Sequence, residues 1–280
     1  MKIVDSFMFY NEFELAFLRL KELYEKVDQF VIVEAKQKHL GGDREPIFWQ
    51  NKEFKQFENK IDYRQVDLVA NDGWGKENEH RVHVGKALKS FVQPEDLIIF
   101  SDCDEIPNMN TVLDNNFFIR VSRVIALNQM FFLHRNNLFS NKCVTGSICV
   151  MGELLLEKED SFVQELRNKK DYLLRLENGG WHYSYFGDDA KKLKLKGESI
   201  AEGSKTPEGE EEKVLSSWKK IMHEAIKELK SPFSQEKLRF LDFSKENKGE
   251  INFITARKGE WVNDRSFFDF CPPSLTEHEN

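Results

Sequence analysis

The feature that most constrains how this chain can fold is a run of four apolar residues, Leu97-Ile98-Ile99-Phe100, followed by Ser101 and then three carboxylates in four positions, Asp102, Asp104 and Glu105. Such a run, bounded by turn residues, reads as a short strand buried on both faces. The carboxylates then sit where the strand must end, because unpaired burial of that much charge would cost several kcal/mol or more. They are therefore solvated, paired or holding a cation. A strand delivering Asp-x-Asp at its carboxyl end places hard oxygen ligands in the crevice where open α/β sheets bind their ligands. Oxygen ligands of this kind suit Mg²⁺ or Mn²⁺ rather than zinc. A polar turn carrying surface acids is the plainer account of the same residues. Ile106-Pro107 ends the turn, since proline cannot donate to a ladder.

The segments around this strand supply the rest of an α/β pattern. Residues 2–10 open the chain as a strand. Residues 14–24 carry Leu15, Phe17, Leu18 and Leu23 among charged residues, the spacing of an amphipathic helix, and Phe30-Val31-Ile32-Val33 is a second buried strand. Strand, helix and strand in 35 residues make a βαβ unit, so a mostly parallel sheet flanked by helices is expected. Glu34 closes the second strand, and in a nucleotide-binding α/β fold an acid there reads a ribose or base. Residues 61–66 alternate like a third strand, and residues 77–88 read as a helix. On that helix Glu77, Asn78 and Arg81 lie about a turn apart. Arg81 could meet a phosphate or a carboxylate, or simply pair with Glu77 on a surface helix. Beyond Pro107, the runs 121–127 and 130–133 are expected to be strands, and residues 161–176 to be helical.

Composition sets the limits. With 280 residues and 24 phenylalanines the chain can bury a substantial core, and 32% charged residues exclude a membrane-embedded body. A net charge of −7 gives no overall electrostatic reason for a nucleic-acid partner. Cys103, Cys143, Cys149 and Cys271 lack zinc-site spacing and read as free thiols. Asp5 and Glu12 interrupt any early apolar run, and no later window reaches membrane-spanning length. A cytoplasmic chain, or a catalytic portion relieved of its targeting segment, is the expectation.

A second cluster lies at Gly179-Gly180-Trp181-His182-Tyr183-Ser184-Tyr185. The glycines allow close backbone approach. His182 is a packed core histidine or, if Asp104 holds a cation, a further ligand. Trp181, Tyr183 and Tyr185 are either aromatic core or flat faces on which a sugar ring could stack. Residues 197–213, acidic and glycine-containing, read as a loop or lid, and residues 214–229 as an amphipathic helix. A core over 1–190 with a lid and helical extension over 191–280 follows. No internal repeat is present.

Taken together, Asp5-Ser6-Phe7 with Phe9-Tyr10-Asn11-Glu12, residues 27–35, Trp74 with Glu77, Asn78 and Arg81, residues 96–107, and Gly180-Trp181-His182-Tyr183-Ser184 resemble glycosyltransferase family 17. This is the group of the β-1,4-mannosyl-glycoprotein 4-β-N-acetylglucosaminyltransferases. The resemblance implies a GT-A-like nucleotide-sugar-binding fold, a UDP-N-acetylglucosamine donor, a glycan or glycoconjugate acceptor, and inversion at the anomeric carbon. By the same resemblance Asp102 and Asp104 would bind the ribose and a Mn²⁺ or Mg²⁺ ion, with His182 as third metal contact. Asn11 and Glu34 would line the nucleoside pocket, and Trp74, Glu77, Asn78 and Arg81 would belong to the donor site. Asp188, Asp189 and Glu105, with Glu202 behind them, are the carboxylates that could deprotonate the acceptor, and Lys194 and Lys196 could close over the diphosphate. Where the family shows Ser-Phe-Ala-His, this chain has Ser199-Ile200-Ala201-Glu202, so a bacterial or viral glycan, a lipid-linked sugar or a protein is as reasonable an acceptor as an N-glycan. A nucleotidyltransferase or phosphohydrolase could use the same metal-bearing strand end, and a non-catalytic glycan-binding protein is the third class.

Overall fold

The structure, a computed structural model, describes residues 1–133 and 138–184 and, beyond them, 213, 216, 217, 220, 224, 239 and 240. In chain order the elements are β1 (Ile3–Phe9), α1 (Phe13–Leu23), β2 (Gln29–Ala35), β3 (Ile61–Val66), α2 (Gly73–Lys89), β4 (Leu97–Asp102), β5 (Glu105–Pro107), α3 (Met109–Asp114) and α4 (Asn116–Ser122). They continue with β6 (Val124–Leu133), β7 (Leu138–Met151), α5 (Gly152–Glu157), α6 (Phe162–Asn168), β8 (Arg175–Leu176), β9 (Gly180–Ser184) and β10 (Arg239–Phe240).

One sheet carries all the strands among the described residues. Its main path runs β3-β2-β1-β4-β7-β6-β9-β5. The first four strands are mutually parallel, as the βαβ spacing predicts, and β7 then adds antiparallel to β4. Strand β9 runs parallel to β6, and β5 pairs antiparallel with β9 at the far end of the path. The α/β class with a mostly parallel central sheet is therefore as expected.

Two apolar clusters cover the faces of the sheet. Alternation along β1 sends Ile3, Phe7 and Phe9 into the cluster shared with α1, and Val4 into the cluster shared with α2 and α6. Strand β4 divides in the same way, with Leu97 and Ile99 on the α1 side and Ile98 and Phe100 on the other. Burying a side chain of this kind contributes about 1.5–3 kcal/mol. The period of 2 also sends Ser101 toward α1 and Asp102 toward α2 and α6, which decides the partners each can find.

Three segments differ from what periodicity predicts. The strands expected over 121–127 and 130–133 are one strand, β6, which starts only at Val124, because residues 121 and 122 close α4 and Arg123, at φ 63°, ends that helix. Of the apolar residues of α4, Ile119 is buried in the core while Phe117 is 80% exposed and Val121 65% exposed. The helix expected over 161–176 ends at Asn168 and is followed by a 3₁₀ turn and β8. Ile106-Pro107, expected only to close a turn, belongs to β5. Cys103, Cys143 and Cys149 are free thiols, as expected; Cys271 lies outside the described residues.

Candidate active site

The parallel register brings the carboxyl ends of β1, β2 and β4 level. Met8 lies beside Asp102, and Phe9 beside Glu34. The turn from β4 to β5 therefore rises from the middle of the sheet, and β9 crosses beside it with Glu105 opposite His182. The approach is close because Gly180 adopts φ +128° and a Cβ there would stand 2.2 Å from the Ile106 carbonyl oxygen. The two clusters, far apart in sequence, become one site through this pairing.

Beneath the turn is Arg19, which is fully buried although it lies on α1. All five of its N–H groups are used. Nε and Nη2 donate to the two oxygens of Asp5 at 2.7 Å each, Nη2 also donates to Ser101 Oγ at 2.7 Å, and Nη1 donates to the carbonyls of Asp102 at 2.9 Å and Glu105 at 3.0 Å. The hydroxyls of Ser101 and Ser147 donate to the same Glu105 carbonyl, and Gln129 Nε2 donates to the next one, Ile106. The backbone of the acidic turn is thus fixed from below by side chains of α1, β4, β6 and β7.

Above the turn stands Arg167 of α6. Its Nη2 donates to Asp102 Oδ2 at 2.7 Å and to Glu105 Oε1, and its Nη1 donates to Glu105 Oε2 at 2.6 Å and to the Gly146 carbonyl at 3.0 Å. Lys170 Nζ is 3.6 Å from Glu105, and Arg81 Nη2 reaches Asp102 at 3.3 Å while pairing with Glu77 one turn back. Both sequence readings of Arg81 therefore hold in part: it pairs along its helix and also meets a site carboxylate. Burial opposes ionisation of Asp102, but Arg167, Arg81 and Lys170 outweigh it and hold the carboxyl well below the usual carboxylate range.

Asp104 projects toward His182, whose Nε2 is 3.8 Å from Asp104 Oδ1, while the buried Nδ1 has no hydrogen-bond partner and lies 3.8 Å from Glu105 Oε1. Among the described residues no three His, Cys, Asp or Glu side chains are gathered as a closed metal centre. A pair consisting of one carboxylate and one imidazole, with the remaining positions left for phosphate oxygens and water, fits a divalent cation of the Mn²⁺ or Mg²⁺ class. Asp102 fits this role less well as it stands, because both of its oxygens already accept from arginine.

The other predicted residues divide. Glu34 is fully buried and all four of its acceptor positions are taken, by Arg44 at 2.7 Å, the Ile47 and Phe48 amides at 2.8 and 3.0 Å, and the Tyr63 hydroxyl at 2.7 Å. It anchors the loop after β2, and a nucleoside would have to displace one of these donors. Asn11 lies just past the end of β1, with its amide donating to Glu12. Trp74, 52% exposed, and Asn78 stand on the first two turns of α2. Trp181 and Tyr183 are corrected: at 1% and 0% exposure they point into the core, on the opposite side of β9 from His182, and present no face to a sugar. Tyr185, Asp188, Asp189, Lys194, Lys196, Glu202 and the lid over 197–213 lie outside the described residues.

Sequence reasoning missed Arg19, Arg167, Lys170 and His39. The first three look like ordinary surface charges on helices, and only their partners give them away. His39, in the loop after β2, lies edge-on to His80 with ring centroids 5.8 Å apart. Burial, then the charge of Arg81, lowers His39 to about 4; burial, then His39, lowers His80 to about 3. Both are neutral in the folded protein at neutral pH but titrate near 6.5 when unfolded. Folding stability is therefore expected to fall as pH drops from about 6.5 toward 4, where the unfolded state gains two protons that the folded state refuses. Urea midpoints across that range would check this, and a His39→Asn/His80→Asn chain should lose most of the dependence, the remainder coming from His83, which burial also lowers.

A family model described as glycosyltransferase family 17 matches residues 1–206, a span that contains the whole of this site. The chain belongs to glycosyltransferase family 17. As a member of it the protein is a glycosyltransferase, built on the α/β sheet described above. Comparison with curated proteins gives no match. Among solved structures, S. aureus TarS 1–349 is similar at 15% identity and TM-score 0.40, covering 80% of this chain and 72% of that one. A mannose-6-phosphate isomerase from Helicobacter pylori is similar at 12% identity and TM-score 0.35, covering 61% and 79%. At these scores no role is transferred from them to this glycosyltransferase. Among its described residues no helix is long and apolar enough to cross a membrane.

Proposed function

We propose that this glycosyltransferase moves N-acetylglucosamine from UDP-N-acetylglucosamine to a glycan hydroxyl, with inversion, using a divalent cation held by Asp104 and His182. The observation that carries this reading is the β5–β9 pairing, which sets the Asp-x-Asp turn against His182 at the carboxyl end of the parallel strands. Charge supports it. Four carboxylates, Glu77, Asp102, Asp104 and Glu105, face three cations, Arg81, Arg167 and Lys170, so among the described residues of the site there is no surplus positive charge to receive a diphosphate. A cation held by Asp104 and His182 would supply it and would offset the charge of the diphosphate as the anomeric carbon–phosphate oxygen bond breaks.

The chain's own groups then divide the work. Arg81 and Lys170 border the diphosphate, and Asn11 and Trp74 border the nucleoside. Glu105 is poorly placed to be the base, because both its oxygens are held by Arg167 and it is fully buried. Asp188 or Asp189 is the proposed base, taking the acceptor hydroxyl proton as the oxygen attacks the anomeric carbon. The catalytic core is proposed over 1–190, with 191–280 as lid and extension.

The test is release of nucleoside diphosphate from a panel of nucleotide sugars with Mn²⁺ or Mg²⁺, with and without glycan acceptors. Release from the UDP-sugar that rises with an acceptor and stops with chelator is the expected result. Metal-dependent hydrolysis of sugar phosphates or nucleotides, with no turnover of any nucleotide sugar, would replace this reading by a phosphohydrolase.

A further inference from the structure

The acidic turn is gripped from two sides, and the upper grip is the unusual one. Arg167 spends four hydrogen bonds on it, to both oxygens of Glu105, to Asp102 and to the Gly146 carbonyl, with its side chain only 10% exposed. Asp102 and Glu105 flank Asp104 in sequence, so one guanidinium ties down the carboxylates on both sides of it, while Asp104, whose charge Arg167 also feels, stands 3.8 Å from His182 Nε2. Lys170, 3.6 Å from Glu105, adds charge but no second fork. We propose that Arg167 is a positioning residue and built-in counter-cation of the turn, which keeps Asp102 and Glu105 out of the cation's coordination and so fixes Asp104 and His182 as its protein ligands. The inference rests on the metal-dependent transferase reading above.

The physical consequence has opposite signs for binding and turnover. Removing the guanidinium takes from Asp102 and Glu105 their shortest ion pair, leaving Arg81 at 3.3 Å from the one and Lys170 at 3.6 Å from the other, and takes one positive charge from beside the cation site, so a divalent ion binds more tightly. The ion is then drawn toward oxygens that do not place a diphosphate correctly, so turnover falls. Loss of packing alone would weaken both. Lysine keeps the charge but cannot fork across two carboxylates, so it separates the two effects.

The experiment is a calorimetric Mn²⁺ titration of the full chain as wild type, Arg167→Met and Arg167→Lys, with circular dichroism as the folding check and nucleoside diphosphate release as the rate. Arg167→Met is expected to bind Mn²⁺ on the order of tenfold more tightly while turning over at least about tenfold more slowly. Arg167→Lys is expected to bind within about twofold of wild type yet still lose turnover. Equal or weaker Mn²⁺ binding in a folded Arg167→Met chain overturns the proposal. If that variant does not fold, full turnover in Arg167→Lys overturns it and reduced turnover with unchanged Mn²⁺ binding supports it. Wild type that binds no Mn²⁺ overturns it together with the metal reading. Wild type that binds Mn²⁺ but releases no nucleoside diphosphate counts against the donor reading alone, and the titration still decides the role of Arg167.

Discussion

Arg19→Met is expected to destabilise the protein by about 3–5 kcal/mol, the range for removing one partner of a buried ion pair. Methionine fills much of the space but leaves Asp5 as an unpaired carboxylate at 0% exposure, and it also strips donors from Ser101 and from the carbonyls of Asp102 and Glu105. Urea unfolding followed by circular dichroism should show the lower midpoint. The double replacement Asp5→Leu/Arg19→Met removes the stranded charge and should recover a large part of the loss in stability. It should not recover turnover, because the Asp102 carbonyl has still lost the Arg19 donor and the Glu105 carbonyl keeps only the Ser101 and Ser147 hydroxyls. A single variant within about 1 kcal/mol of wild type would mean that water reaches Asp5, contrary to its burial.

Asp104→Asn is expected to lower metal-dependent turnover by about 100- to 1,000-fold, the scale for removing one preorganised group that stabilises charge in a transition state. The amide is nearly isosteric but is neutral and a poor ligand for a hard cation. The substitution keeps the backbone bond in which the Asp104 carbonyl accepts from the Tyr183 amide at 2.8 Å, and the urea midpoint reports any effect on the fold. Mn²⁺ titration should show the matching loss of affinity. A rate within threefold of wild type, in a chain with the wild-type urea midpoint, would remove Asp104 from the site and with it the metal reading. Together, the two substitutions separate the foundation of the turn from its working end.

Much of this was legible from the chain. Residues 97–100 are apolar throughout because β4 is buried on both faces, and the spacing of Ile3, Phe30 and Leu97 with a helix between the first two forced parallel pairing. The acids had to stand at the strand end because nowhere else could solvate or pair them. The aromatic residues of β9 were less legible. Trp181 and Tyr183 have the same composition in a core as in a sugar platform, and only the sheet's two faces distinguish these. Glu34 was placed correctly at the end of β2, but nothing local reveals that Arg44, Ile47, Phe48 and Tyr63 use all its lone pairs.

The sequence by itself determined where the site is: hydrophobic runs fix strands, and charge without a partner cannot follow them into the core, so the cluster Asp102, Asp104 and Glu105 marks the top of the sheet. Only the tertiary structure decided what each acid does. The pairing of β5 with β9 brings His182 to Asp104, and the packing of α1 and α6 brings Arg19 under the turn and Arg167 over it. Arginines on helices carry no local sign of burial, because their partners come from strands that meet only when the sheet closes. Hydrogen bonding across such distances in sequence is a property of the folded pair, not of either residue.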